Sequence, residues 1–328
     1  MENEIECTGF FRPSVAETTS CLDAFQEGSW GGFILGNFVE APYNLVAALI
    51  SPASWLDWSQ GESLVRFIYY GGSVEFFFVI LLICLTITII GLFRNAFLWG
   101  CVRVLEFCAN AIGRTVAWVG LLMVLQQVMI VFLQRIFRVA EIQLGPLGLS
   151  FTQDLSWWSE ELKLYNAMIV CLCVTYTFVQ GGHVRVDLVY SAVKFRTKKV
   201  LDMIGSVIFM MPAITLTYMF AWFFMWRHLV LPGPAASADL DRLMRGASVI
   251  RWNVETIGFS PNGFNAYFLF KVLIVAFCIL VFAQAWAMLW RSYLEFREGP
   301  ESEGKYMDHD VLGDEAEEIE HAIHSGST

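Results

Sequence analysis

Three side chains able to carry charge chemistry fall within five positions near the middle of the chain. They are His183, Arg185 and Asp187, in the run Gly181-Gly182-His183-Val184-Arg185-Val186-Asp187-Leu188. An arginine and a carboxylate two positions apart can neutralise each other and hydrogen-bond loop carbonyls or lipid phosphates. A second polar group, Asp154-Leu-Ser-Trp-Trp-Ser-Glu-Glu-Leu-Lys163, brings Trp158, Glu160 and Glu161 together. Neither stretch is accompanied by a nucleophile–base pair, a phosphate-cradling glycine loop or zinc-ligand spacing, so no enzyme, cofactor or metal is expected.

The elements around these residues set their role. Leu164–Val179 is an apolar run close to bilayer length. Gly181 and Gly182 end it, as glycine commonly ends a helix. Lys194, Arg196, Lys198 and Lys199 follow, and basic residues just past a span mark the cytoplasmic side. His183, Arg185 and Asp187 are therefore expected to organise a cytoplasmic turn, in folding and assembly and not in substrate contact. On the other side, Ser156 is the expected N-cap of a helix whose early turns hold Glu160 and Glu161, where the helix dipole favours negative charge. Trp157 and Trp158 suit the headgroup zone, so this helix is expected to lie along the outer surface before turning inward at Leu164.

Composition supports a membrane protein. Hydrophobic residues are 56% and charged residues 16%, against about 45–50% and about 25% in soluble domains. The net charge of −10 is concentrated before residue 66 and after residue 297. No basic face is available for nucleic acid. Residues 1–20 are acidic and lack the basic-then-apolar pattern of a cleavable signal. The eight cysteines show no CxxC pair. Cys84, Cys108, Cys171, Cys173 and Cys278 are expected to pack as small apolar residues, whereas Cys7 and Cys21 are candidates for pairing only in an oxidising compartment.

The expected fold is an all-α integral membrane protein with five transmembrane helices, or six, plus an interfacial amphipathic helix. Residues 1–66 form an acidic segment in which Phe33–Ile50 is interrupted by Asn37, Glu40, Pro42 and Asn44. A charge and a proline in so short a run favour an interfacial element; if it crosses, the count becomes six. An extra span at 67–93 and a cytoplasmic connector at 94–111 follow. Residues 112–297 form a four-helix core, with spans near Ile112–Phe137, Leu164–Val179, Met203–Trp226 and Phe264–Trp290, and with a kink expected at Pro212. Residues 298–328 are an acidic cytoplasmic tail. With five spans, basic residues place the N-terminus outside and the C-terminus inside; with six, only the N-terminus changes side.

Within the core, Ala109, Gly113 and Ala117 recur every fourth residue, a spacing that lets a second helix approach closely. Gln126 and Gln127 lie within the apolar run and need hydrogen-bond partners. A polar seam against a neighbouring helix and a local bond within this chain both satisfy that need.

Trp158-Ser159-Glu160-Glu161-Leu162, one apolar span, and then Gly182-His183-Val184-Arg185-Val186-Asp187-Leu188 resemble the small membrane (DctQ-type) subunit of tripartite ATP-independent periplasmic (TRAP) transporters. The likeness runs from about Ile112 to Trp290. The first hundred or so residues, with an extra span, exceed the usual four-helix subunit. The resemblance implies a multi-pass bacterial inner-membrane scaffold without catalysis. Its implied partners are a large many-helix membrane subunit and a periplasmic substrate-binding protein, acting in sodium-driven uptake of an organic acid. It further implies that Trp158, Glu160 and Glu161 organise the periplasmic side, and His183, Arg185 and Asp187 the cytoplasmic turn. Two other readings compete. A haem or quinone subunit would need paired histidines within the spans, but His183 and His228 fall at opposite ends and His309, His321 and His324 lie in the tail. A self-sufficient transporter would need intramembrane charges or facing broken helices, and the spans offer few.

Overall fold

The computed structural model describes residues 29–144, 151–180, 193–231, 233–234, 243, 249–250, 264 and 266–308. These belong to two compact units, residues 1–90 with 230–251 and residues 91–229 with 252–328.

In the first unit, helix α1 (Trp30–Ile50) opens on Ser29, whose hydroxyl accepts the Gly32 amide at 3.0 Å. That is the geometry by which a serine satisfies an orphan amide at a helix start. The helix runs through Pro42 without a break, and its length and composition suffice for a membrane crossing. The polar residues that weigh against crossing are turned away from the exposed face: Asn37 and Glu40 are buried beside Gly32, Gly36 and Ala41. Asn37 donates its side-chain amide to the Phe33 carbonyl at 2.7 Å. With α1 included, the described residues hold six helices fit to span, the higher of the two expected counts.

Helices α2 (Ala53–Leu56) and α3 (Gly61–Gly71) follow. Trp55 stacks on Phe67 at 6.3 Å and Trp58 leans on the same ring at 5.0 Å. The Gly72-Ser73 pair separates α3 from α4 (Val74–Phe93), so the apolar span begins at Val74 and Phe67 belongs to the preceding amphipathic helix. Phe78 of α4 meets Phe33 and Phe38 edge-on. A short antiparallel pair, β3 (Val230–Leu231) and β4 (Val249–Ile250), completes this unit.

The second unit is a helical bundle. Helix α5 (Asn95–Phe132) continues without interruption into a π turn, Leu133–Phe137, 43 residues in all. The stretch expected as a connector, 94–111, is thus helical from Asn95 onward. Arg138 then takes a left-handed conformation (φ 52°) and Val139 donates back to the Leu133 carbonyl at 3.1 Å, the reversed close that ends many helices. Strands β1 (Glu141–Leu144) and β2 (Phe151–Asp154) pair antiparallel, Glu141 opposite Asp154. They lead into α6 (Leu155–Leu172) and α7 (Val174–Val179), parted at Cys173. Asp154, not Ser156, holds the N-cap position, and no break occurs at Leu164. The expected surface segment and the span are therefore one helix.

Helix α8 (Phe195–Ile204), a π segment (Gly205–Met210) and α9 (Met211–Leu229) form one continuous helical run of 35 residues. The Met211 amide reaches five residues back to the Ser206 carbonyl, just before Pro212, which has no amide to donate. The expected proline kink thus coincides with a widened turn. Helix α10 (Phe268–Glu298) is central, touching α5, α6, α8 and α9. Its Ala285, Ala287 and Leu294 are fully enclosed.

Small residues set the helix spacing. A Cβ at Gly113 would lie 2.3 Å from Cβ of Tyr176, so only glycine admits α7 at this distance. The contacts also align α6 and α7 along α5. Gln180, just past α7, meets Asn110, while Leu155 shares a buried cluster with Ile130. The α6–α7 run therefore matches residues 110–130 of α5, a rise of about 30 Å, which is the thickness of a bilayer's hydrocarbon. Helix α5 continues beyond Asn110 for about four turns on its Asn95 side.

Candidate functional site

The polar side chains of the bundle gather at its two ends. At the Leu155 end, the first turns of α6 carry Trp157 with Glu160 on one face and Trp158 with Glu161 on the next, as the helical repeat dictates. Glu160 is buried and its Oε2 accepts the Phe264 amide at 2.9 Å, tying down the approach to α10. Glu161 accepts from Gln126 Nε2 at 3.2 Å and from the Tyr165 hydroxyl at 3.0 Å. Gln126 also donates to the Trp158 carbonyl at 3.1 Å. Trp157 sets its ring edge against Trp158 and Phe264. Beneath lie Ile130, Ile142 and Leu155, with Leu133, Trp158 and Leu162 packed on them. The structure thus joins Gln126 to the Trp158–Glu161 motif within this chain. Gln127, one residue on, points outward.

The small-residue face divides in the same way. Ala109 and Gly113 are buried, and Gly113 receives Tyr176, while its carbonyl lies 3.8 Å from the Cys173 thiol. Ala117 is exposed. The close approach available at Ala109 and Gly113 is taken up inside the bundle.

At the opposite end lies an ion cluster that sequence reasoning missed. Arg291 of α10 donates through Nε and Nη2 to the two carboxylate oxygens of Glu106 on α5, at 2.6 and 2.5 Å. It also reaches Glu295 at 3.4 Å and the Lys305 carbonyl at 3.1 Å, with its guanidinium over the Trp99 ring at 5.3 Å. Lys199 of α8 pairs with Glu295 at 2.6 Å. Glu106, Lys199, Arg291 and Glu295 are all buried, two of each sign. Glu106 lies one turn beyond Asn110 on α5, and all four side chains of the cluster are enclosed by protein. The available signal was faint: Arg291 and Glu295 are one turn apart on one helix, but their partners sit on α5 and α8.

Gln180 is the last described residue before Gly181 and Gly182. His183, Arg185 and Asp187 lie outside the described residues. Gln180 itself donates to Asn110 Oδ1 at 3.4 Å and to the Asp308 carbonyl at 2.9 Å. Among the described residues, no three His, Cys, Asp or Glu side chains gather as a metal site.

Residues 128–240 match the family model of the DctQ component of tripartite ATP-independent periplasmic transporters. The chain carries a DctQ-type segment. It spans about a third of the sequence, from the last turns of α5 through the β1–β2 hairpin, α6, α7 and the Gly-Gly motif to the residues beyond α9. Both motifs behind the resemblance fall inside it. The DctQ match starts just after Gln126 and Gln127 and stops before α10, so Glu106, Arg291, Glu295 and helices α1–α4 lie outside it, whereas Lys199 lies inside. No curated protein and no solved structure matches the chain. A DctQ component is the small membrane part of a transporter and not an enzyme, and six apolar helices make this chain a multi-pass membrane protein.

Proposed function

We propose that this chain braces the large membrane subunit of a TRAP transporter and helps a periplasmic binding protein to dock, in sodium-driven uptake of an organic acid across the bacterial inner membrane. The observation that carries this reading is the placement of polarity. In the bundle, Gln126 bonds Glu161 and Glu160 holds the Phe264 amide at one end, while Arg291 grips Glu106 at the other. Between those ends the outward surface is apolar, with Trp118, Leu122, Leu125, Phe209 and Phe220 exposed. Such a body has surface for a membrane partner and little in its middle to carry a charged solute.

The basic cluster after Gly181 and Gly182 assigns the Gln180 end to the cytoplasm. The Trp158–Glu161 end is then periplasmic, where a binding protein would arrive. The C-terminus is assigned to the cytoplasm by the same rule, and with six crossings the N-terminus falls on that side too.

The test is co-expression of the tagged chain with the large membrane subunit and the binding protein encoded alongside it. The expected result is stable co-purification, with acid uptake into vesicles only when all parts are present. Uptake by this chain alone, or a purified chain that holds a pigment, would overturn the proposal.

A further inference from the structure

Residues 299–308 follow α10 and lie outside the DctQ match. Successive tight turns lay them across the Gln180 end of the bundle: Ser302 donates to Gly299, Glu303 to Pro300, Lys305 to Ser302 and Met307 to Gly304, at 3.0–3.2 Å. Three of these residues have positive φ, namely Gly299 (97°), Gly304 (69°) and Tyr306 (62°). Glycine accepts that conformation freely, but a tyrosine is strained there and is retained only where its surroundings hold it. The Tyr306 ring is held between the Trp99 edge at 5.6 Å and the Arg103 guanidinium at 5.1 Å.

The segment is fastened in two ways. Its backbone carbonyls are gripped from the bundle: buried Asn110 and half-buried Gln180 donate to the Asp308 carbonyl at 3.0 and 2.9 Å, and buried Arg291 donates to the Lys305 carbonyl. Its side chains form ion pairs open to water. Arg114 meets Asp308 at 2.8 Å with the two side chains 43% and 56% exposed. Lys199 meets Glu303 at 3.4 Å with Glu303 60% exposed, and Lys305 meets Glu298 at 3.5 Å. Exposed pairs weaken as salt screens them, whereas enclosed pairs do not. Beneath this layer Glu106, Arg291, Glu295 and Lys199 balance one another without help from the segment.

We propose that residues 299–308 form a charge-sensitive latch across this end of the bundle, opened by weakening of Arg114–Asp308, Lys199–Glu303 and Glu298–Lys305, above an ion cluster that stays formed. Closed, the latch ties together α5, α8, α10 and the end of α7. Open, it withdraws the Lys305 carbonyl from Arg291 and Glu303 from Lys199, and admits water to the cluster.

The test is amide hydrogen exchange on the full chain in detergent, without any partner subunit, so it stands or falls separately from the transporter assignment. Salt is raised from about 0.01 M to about 1 M, which shortens the screening length from ~30 Å to ~3 Å. Amides of 299–308 are expected to exchange about threefold to tenfold faster at high salt, with 95–106 and 288–298 unchanged. The double variant Glu303→Gln with Asp308→Asn is expected to exchange fast at low salt and to lose its salt dependence. Salt-independent exchange in the wild-type chain, or equal acceleration of α5 and α10, would overturn the latch; the wild-type comparison requires no variant to fold.

Discussion

Arg291 and Glu106, 185 positions apart, meet through two parallel hydrogen bonds that fix α10 against α5. The fork of a guanidinium matches both oxygens of a carboxylate, and lysine could not reproduce it. Removing one member leaves the other charged and enclosed. Glu106→Ala is therefore expected to lower stability by about 3–5 kcal/mol, seen as a fall in the thermal midpoint of the purified chain. Replacing both, Glu106→Leu with Arg291→Met, should recover much of that loss. An unchanged midpoint in the single variant would contradict the pairing.

Gly113 admits Tyr176 where no other residue could. Gly113→Ala places a methyl carbon against Cβ and Cγ of Tyr176, and overpacking of this kind costs about 1–3 kcal/mol. Tyr176→Phe should not rescue it, because the clash is with the root of the side chain and not with the hydroxyl. Thermal stability of the single and double variants reads this out.

Gln126 and Gln127 offer a matched pair. Gln126→Leu removes both donations to the Trp158 carbonyl and Glu161 and should cost about 1–3 kcal/mol. Gln127→Leu, on the exposed side, should change stability by no more than about 0.5 kcal/mol. Equal effects in a thermal melt would show that the two faces are not distinguished as described.

Arg185 belongs to the sequence motif proposed for assembly. Arg185→Ala is expected to reduce recovery of the complex with the large membrane subunit more than it alters substrate preference. A complex of intact stoichiometry with altered substrate choice would contradict that.

The helices were legible because long apolar runs admit few alternatives to a span, and the two motifs pointed to the family segment. The faces were less so. Gln126 and Gln127 are adjacent in sequence but about 100° apart around the helix, and only the helix phase separates them. Residues 95–111 read as a connector because Arg103 and Glu106 lower their hydropathy, yet Leu98, Trp99 and Val102 turn to the interior and keep them helical. Phe33–Ile50 read as interfacial because a linear scan counts Glu40 in full, whereas the fold turns it inward. Arg291 could be read as a marker of sidedness, but its tie to Glu106 depends on packing between helices far apart in the chain.

The wide turn at Gly205–Met210 determines which way Lys199 faces. Each extra residue in a turn swivels the chain on its far side by about 100°, so a helical wheel drawn at one period through 195–229 would aim Lys199 wrongly. The defect beside Pro212 thus acts as a phase corrector: the span keeps its apolar rim toward lipid, while its basic foot comes round to meet the Glu295 carboxylate.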